Sequence, residues 1–209
     1  MSCCKCQEHG WADPQPPVWT DPADGREYCV FHAPVEHKGI SVAEFNKKIF
    51  RRIEDFGGSA QNNSRCDLSG VVFPGEIIFE ENTEFPSVSF NYAIFTSNID
   101  FINAFFTGET EFDNAHFKGD ADFFGSQFNG SASFNWTKFY GYTDFRETEF
   151  YNKSKFKRAL FNGELKFCPL NNFKKIPAKR KAISYTTFVA LHSTILRNST
   201  LKTAENYKD

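Results

Sequence analysis

Cys3-Cys4-Lys5-Cys6 and Cys29-Val30-Phe31-His32 are the residues whose types and spacing could do chemistry in this chain. Read as Cys3-x2-Cys6 and Cys29-x2-His32, they make two ligand knuckles separated by the segment from Gln7 to Tyr28, near the spacing of four-ligand structural zinc sites. The surrounding segment is rich in proline (Pro14, Pro16, Pro17, Pro22, Pro34) and poor in core residues, so a tetrahedral ion would supply the cohesion that packing does not. Cys4 and His9 are further donors, and they leave the set open by one position. The plain alternative is a flexible cysteine cluster with His32 on the surface. Four protein ligands would close the coordination sphere, so the pattern predicts structural rather than catalytic zinc.

The rest of the sequence offers no catalytic constellation. It contains no nucleophile elbow, phosphate loop, dinucleotide fingerprint or HExxH, and His37, His116 and His192 stand apart from one another. We expect a non-enzymatic protein. Cys66 and Cys168 read as buried thiols. The opening MSCCKCQEHGWADP lacks the charged start and apolar run of a signal peptide, and no stretch reaches the roughly 18 apolar residues that cross a bilayer. The expectation is a soluble, cytoplasmic protein whose cysteines are reduced.

The elements that must position these groups are written in phenylalanine. Of 26 Phe in 209 residues, 20 fall between Phe73 and Phe167, against a single Met in the whole chain. From Phe90 the rings recur at steps of five and six, strictly alternating to Phe167, so the unit is eleven residues. A helix face needs steps of three and four, and a strand alternating over five residues would lose register at each turn. The period predicts a solenoid whose short sides each turn one ring inward. Two residues before nearly every ring lies a small side chain, as at Ala93, Ala104, Thr110, Ala115, Ala121, Ser126 and Ala132, which would share the interior with it. In the six-residue steps the second residue after the ring is glycine at 108, 119, 130, 141 and 163. We read these glycines as the positive-φ residues of tight corners.

Units such as Ala93-Ile94-Phe95, Ala115-His116-Phe117, Ala121-Asp122-Phe123 and Ala132-Ser133-Phe134 resemble the pentapeptide-repeat family in its phenylalanine-centred form, over roughly residues 71 to 168. The resemblance implies an all-β solenoid, a right-handed quadrilateral β-helix. With alternating steps it should have about 22 residues per coil, a rise of about 4.8 Å and a core of stacked rings.

The ends of such a rod need covers. Ser41-Val42-Ala43-Glu44 is a capping-box pattern, followed by Phe45, Ile49 and Ile53, which predicts a lid helix over 41 to 56. A second helix is expected near 179 to 198, after a basic linker. The organisation is therefore a Cys/His segment (1–40), a capping helix and linker (41–63), the β-helix (64–170) and a basic tail with its helix (171–209). Net charge is about −2, −6 and +6 over residues 1–63, 64–170 and 171–209, counted from the sequence.

Specificity should then lie in the outward residues. One coil apart, Asp100, Asp122 and Asp144 should stack into a carboxylate column ending at Lys166. Its two readings are a docking face for a basic partner and a solubilising surface. Phe124, Trp136 and Tyr140 fall outside the inward series and are expected to contribute to a contact surface or homodimer face. The leading functional expectation is a protein-binding scaffold, with direct nucleic-acid binding disfavoured. The alternative comes from the resemblance: some family members imitate DNA and bind type II topoisomerases such as gyrase, protecting them against inhibitors.

Overall fold

The computed structural model describes residues 2–57, 65–79 and 82–167. The expected C-terminal helix near 179 to 198, Cys168 and His192 lie outside the described residues.

Residues 65–79 and 82–167 wind into a four-sided solenoid of parallel strands, nearly all only two residues long. Each strand pairs with the one a coil later: Ile94, His116, Lys138 and Leu160 form one row of partners, each a full coil beyond the last. We name the sides by their rings: the Phe90, Phe95, Phe101 and Phe106 sides. The expected columns are in register, with Asp100, Asp122, Asp144 and Lys166 in line on the Phe101 side.

The interior is phenylalanine stacked on phenylalanine. Along the Phe95 side the rings of Phe95, Phe117, Phe139 and Phe161 follow at 4.6, 4.7 and 4.7 Å, their planes within 9° of parallel. Around a coil the contacts turn edge-on, as for Phe112 against Phe123 at 86° and Phe123 against Phe134 at 89°. Coil rise forces the parallel stacking, and the edge contacts add the quadrupole attraction that face-to-face rings lack. The small residues do share the interior: Ala93, Ala115, Ala121 and Thr137 are fully buried. The Thr137 hydroxyl donates to the Phe112 carbonyl at 2.7 Å, so a polar atom lies inside without an orphaned bond.

The corners correct the sequence reading. Positive φ occurs in the five-residue steps, two residues after the ring, at Tyr92 (60°), Asn103 (53°), Asn114 (60°), Gly125 (65°), Trp136 (59°) and Arg158 (59°). Each is the third residue of a tight turn closed by a bond such as Ala115 N–H to Phe112 carbonyl at 3.0 Å, the type II arrangement. The six-residue glycines are needed for a different reason. A Cβ at Gly130 would lie 2.2 Å from the Gly108 carbonyl oxygen, and one at Gly163 would lie 2.0 Å from that of Gly141. Successive coils touch there backbone to backbone, and no side chain fits between them.

Helix α2, Val42–Gly57, closes the N-terminal end. Its capping box forms as expected: Ser41 N–H donates to Glu44 Oε2 at 3.0 Å, and Glu44 N–H donates to Ser41 Oγ at 3.2 Å. Phe45 meets Phe73 edge-on and Phe50 meets Phe79 likewise, covering the first coil's exposed rings.

Candidate metal centre

Residues 2–40 fold as a small module on that end. Helix α1, Cys4–Glu8, begins beside Cys3 and carries Cys6. Strands β1, Pro17–Thr20, and β2, Glu27–Cys29, form an antiparallel hairpin whose last residue is Cys29. The chain then folds back sharply, with the Cys29 carbonyl accepting from His32 N–H at 3.0 Å and Ala33 N–H at 2.8 Å. That turn carries His32 round to the cysteines.

Cys3, Cys6 and Cys29 are completely buried and His32 is 4% exposed. Their ligand atoms all lie within 4.8 Å of one another. His32 Nδ1 is 3.5, 3.5 and 3.2 Å from the sulfurs of Cys3, Cys6 and Cys29, and Cys6 Sγ is 3.7 Å from Cys29 Sγ. A tetrahedral ion with bonds of about 2.3 Å to sulfur and 2.0 Å to nitrogen demands edges of roughly 3.5 to 3.8 Å. The His32–Cys3, His32–Cys6, His32–Cys29 and Cys6–Cys29 separations of 3.2 to 3.7 Å lie near those edges, and the other two are within 4.8 Å. His32 Nε2 donates to the Ser69 carbonyl at 3.0 Å, which fixes the ring and leaves the Nδ1 lone pair facing the sulfurs. The site residues therefore fit a metal ion.

Electrostatics point the same way. Hydrogen bonds with Cys29 and Cys6 hold the Cys3 thiol far below the ordinary thiol range, while Cys29 and Cys3 push Cys6 far above it. Burial pulls the His32 imidazole down, but in the ion-free cluster the hydrogen bonds its protonated ring donates to Cys29 and Cys3 outweigh burial and carry it up to about 9. Three thiols and an imidazole crowded out of water must share protons, and a divalent cation would replace those protons.

The further donors separate. Cys4, half-buried, is outside the cluster, and burial raises its thiol. His9 lies over His32 with ring centroids 6.0 Å apart and packs toward Tyr92, as a neighbour of the site.

The supporting residues had no sequence signal. Trp11 meets His32 edge-on at 4.7 Å and donates to the same Ser69 carbonyl at 3.2 Å. Arg52, from α2, lies 4.1 Å over the Trp11 ring and forms a two-bond pair with Asp13 at 2.6 and 2.7 Å. Lys38, 2% exposed, donates to the carbonyls of Val30 and Phe31 at 2.7 and 3.1 Å, holding the turn between the last two ligands. Cys66 is buried, and burial pushes its thiol up to about 12, as expected of an inert thiol.

The outward residues are placed as follows. Asp100, Asp122 and Asp144 each accept the backbone N–H two residues on, at 2.7, 2.9 and 2.8 Å. Asp144 is 1% exposed, covered by Arg146 and by the Tyr142 hydroxyl. It is a satisfied internal group, which corrects its expected place on an open carboxylate column. Phe124 is half-buried beneath the Arg146 guanidinium, 5.6 Å from its ring centre, so it too is more covered than its outward register suggested. Trp136 and Tyr140 are exposed.

The family profile described as Pentapeptide repeats (9 copies) matches residues 90–137 and again 112–159. No curated protein and no solved structure matches this chain. With two-residue parallel strands on four sides, a ring turned inward from each and a family match across the middle coils, the solenoid of this chain is built of pentapeptide repeats.

Proposed function

We propose that the protein is a non-enzymatic, protein-binding scaffold whose N-terminal cap is stapled by a structural zinc ion. The observation that carries it is the filled interior: ring stacks occupy the solenoid, so recognition falls to its rigid outward faces. Zinc is the ion of choice because three thiolates and one imidazole at tetrahedral distances match its preference, and four protein donors leave no position for a substrate. Free thiols at all five described cysteines suit a reducing, cytoplasmic setting. The topoisomerase alternative depends on the acidic column, and Arg146 neutralises Asp144 of that column while the Tyr142 hydroxyl helps to cover it, so it is the weaker reading.

Elemental analysis of the purified protein should find one zinc per chain, and Cys29→Ser should lose it; wild-type protein without stoichiometric zinc ends the zinc reading. Immobilised full chain should enrich a defined partner from its host's extract, and the scaffold reading falls if nothing is retained above a control surface. Gyrase supercoiling should be indifferent to an excess of the protein; inhibition or protection would restore the alternative.

A further inference from the structure

The Phe95 side and the corner leading into it differ from the rest of the solenoid. Residues 92–96, 114–118, 136–140 and 158–162 contain no Asp or Glu, although residues 64–170 carry fifteen. Every second residue of these rows points away from the ring stacks, which makes a grid of three columns over four coils. Its cations are Lys118, Lys138 and Arg158, with His116 among them. Its aromatic rings are Tyr92, Trp136 and Tyr140, which are 54%, 46% and 37% exposed.

Cations and rings are interleaved. Lys118 Nζ lies 4.2 Å over the Tyr140 ring and the Arg158 guanidinium 4.3 Å over Trp136. Burial, then the charges of Lys138 and Lys118, lower the His116 imidazole, so the positive field is felt within the face itself. Large rings held in place by cations present apolar area at little entropic cost, beside charges that attract carboxylates.

The dimensions choose the occupant. Two steps of about 6.6 Å across the columns and three of about 4.8 Å along the axis give a patch roughly 13 by 14 Å. Asp113 flanks it on one corner, and Asp120 and Glu164 on the other. A long polyanion such as a nucleic acid would run off the patch onto these carboxylates. A short extended peptide would not, and its same-face side chains recur at the column spacing. We infer that this face docks an extended acidic segment of a partner protein, its carboxylates on Lys118, Lys138 and Arg158 and an apolar side chain against Trp136 and Tyr140. This inference rests on the protein-binding reading and adds the partner's chemistry to it.

The test titrates the full zinc-loaded chain into a fluorescent peptide of about ten residues with the repeat Glu-Ser-Phe-Ser, which brings Glu and Phe in turn to one face of an extended chain, followed by anisotropy. Binding should saturate, weaken in about 0.5 M salt, and fall about tenfold in the double variant Lys118→Glu/Lys138→Glu. Trp136→Ala should weaken it independently of salt. Thermal melts of the variants report whether these surface changes leave the fold intact. No saturable binding, or binding indifferent to charge reversal in a folded variant, overturns the inference; so does tighter binding of an oligothymidine of similar length, which would assign the face to nucleic acid. The two readings fail separately. A partner retained equally by wild type and double variant leaves the scaffold standing and removes this face, whereas no retained partner removes the scaffold.

Discussion

At the scale of single residues, the cap depends on charges that burial has made sensitive. Arg52 is almost wholly buried, and Asp13, half-exposed, is its carboxylate partner. The hydrogen bonds and charge of Arg52 hold the Asp13 carboxyl below the usual carboxylate range. A carboxylate depressed in the folded state contributes stability above its unfolded pKa, and that contribution is lost as pH falls through the folded value. Asp13→Asn should therefore cost about 1–2 kcal/mol at pH 7, leaving a buried guanidinium short of its partner. Urea midpoints of wild type and variant should converge as pH drops below about 4. A constant gap from pH 7 to 3 would show that the pair does not act through ionisation.

At the scale of elements, the two kinds of corner should respond oppositely to substitution. Gly130 lies against the backbone of Gly108 and Glu109, so Gly130→Ala must push two coils apart, at about 1–3 kcal/mol. Gly125, with its positive φ, would meet only the end of the Asn103 side chain. Asn103 and Asn114 adopt the same backbone in the coils around it, so Gly125→Asn should stay within about 1 kcal/mol of wild type. Thermal melts rank the two; the reverse order would mean that φ and not coil contact governs both positions. Within a stack, Phe112→Ala should cost about 3–5 kcal/mol by denaturant titration, because its ring touches both axial and lateral neighbours.

At the scale of the whole molecule, the cap takes the place of a missing coil. Val72 N–H donates to the Phe31 carbonyl at 2.9 Å, where Ile94 N–H donates to Val71 and His116 N–H to Ala93 in the coils that follow. The turn from Cys29 to His32 thus extends the ladder of the Phe95 side, and the Ser69 carbonyl ties the first coil to His32 and Trp11. Stability in a solenoid passes between neighbours. A strong chelator should raise amide exchange first at Val72 and its coil, leaving His116 and Lys138 protected. Uniform loss of protection would show one cooperative unit, and no change would separate the ion from the cap.

Much of this was legible in the sequence because it is periodic or local. The eleven-residue phenylalanine spacing prescribes inward rings at fixed intervals, and a solenoid whose coil holds two such units stacks them. The capping box at Ser41 and Glu44 joins groups only one helical turn apart. The four candidate donors, Cys3, Cys6, Cys29 and His32, were legible because paired knuckles impose their own spacing. Tertiary structure alone decided which glycines were conformational and which were steric, since the clash at Gly130 comes from Gly108, a full coil earlier. It also selected Cys3 over Cys4 and enclosed Asp144. Lys38, Arg52 and Trp11 became supports of the candidate metal centre through folding that brought distant segments together. The acid-free face has the same origin: its rows lie a full coil apart in the chain and become neighbours only when the coils stack.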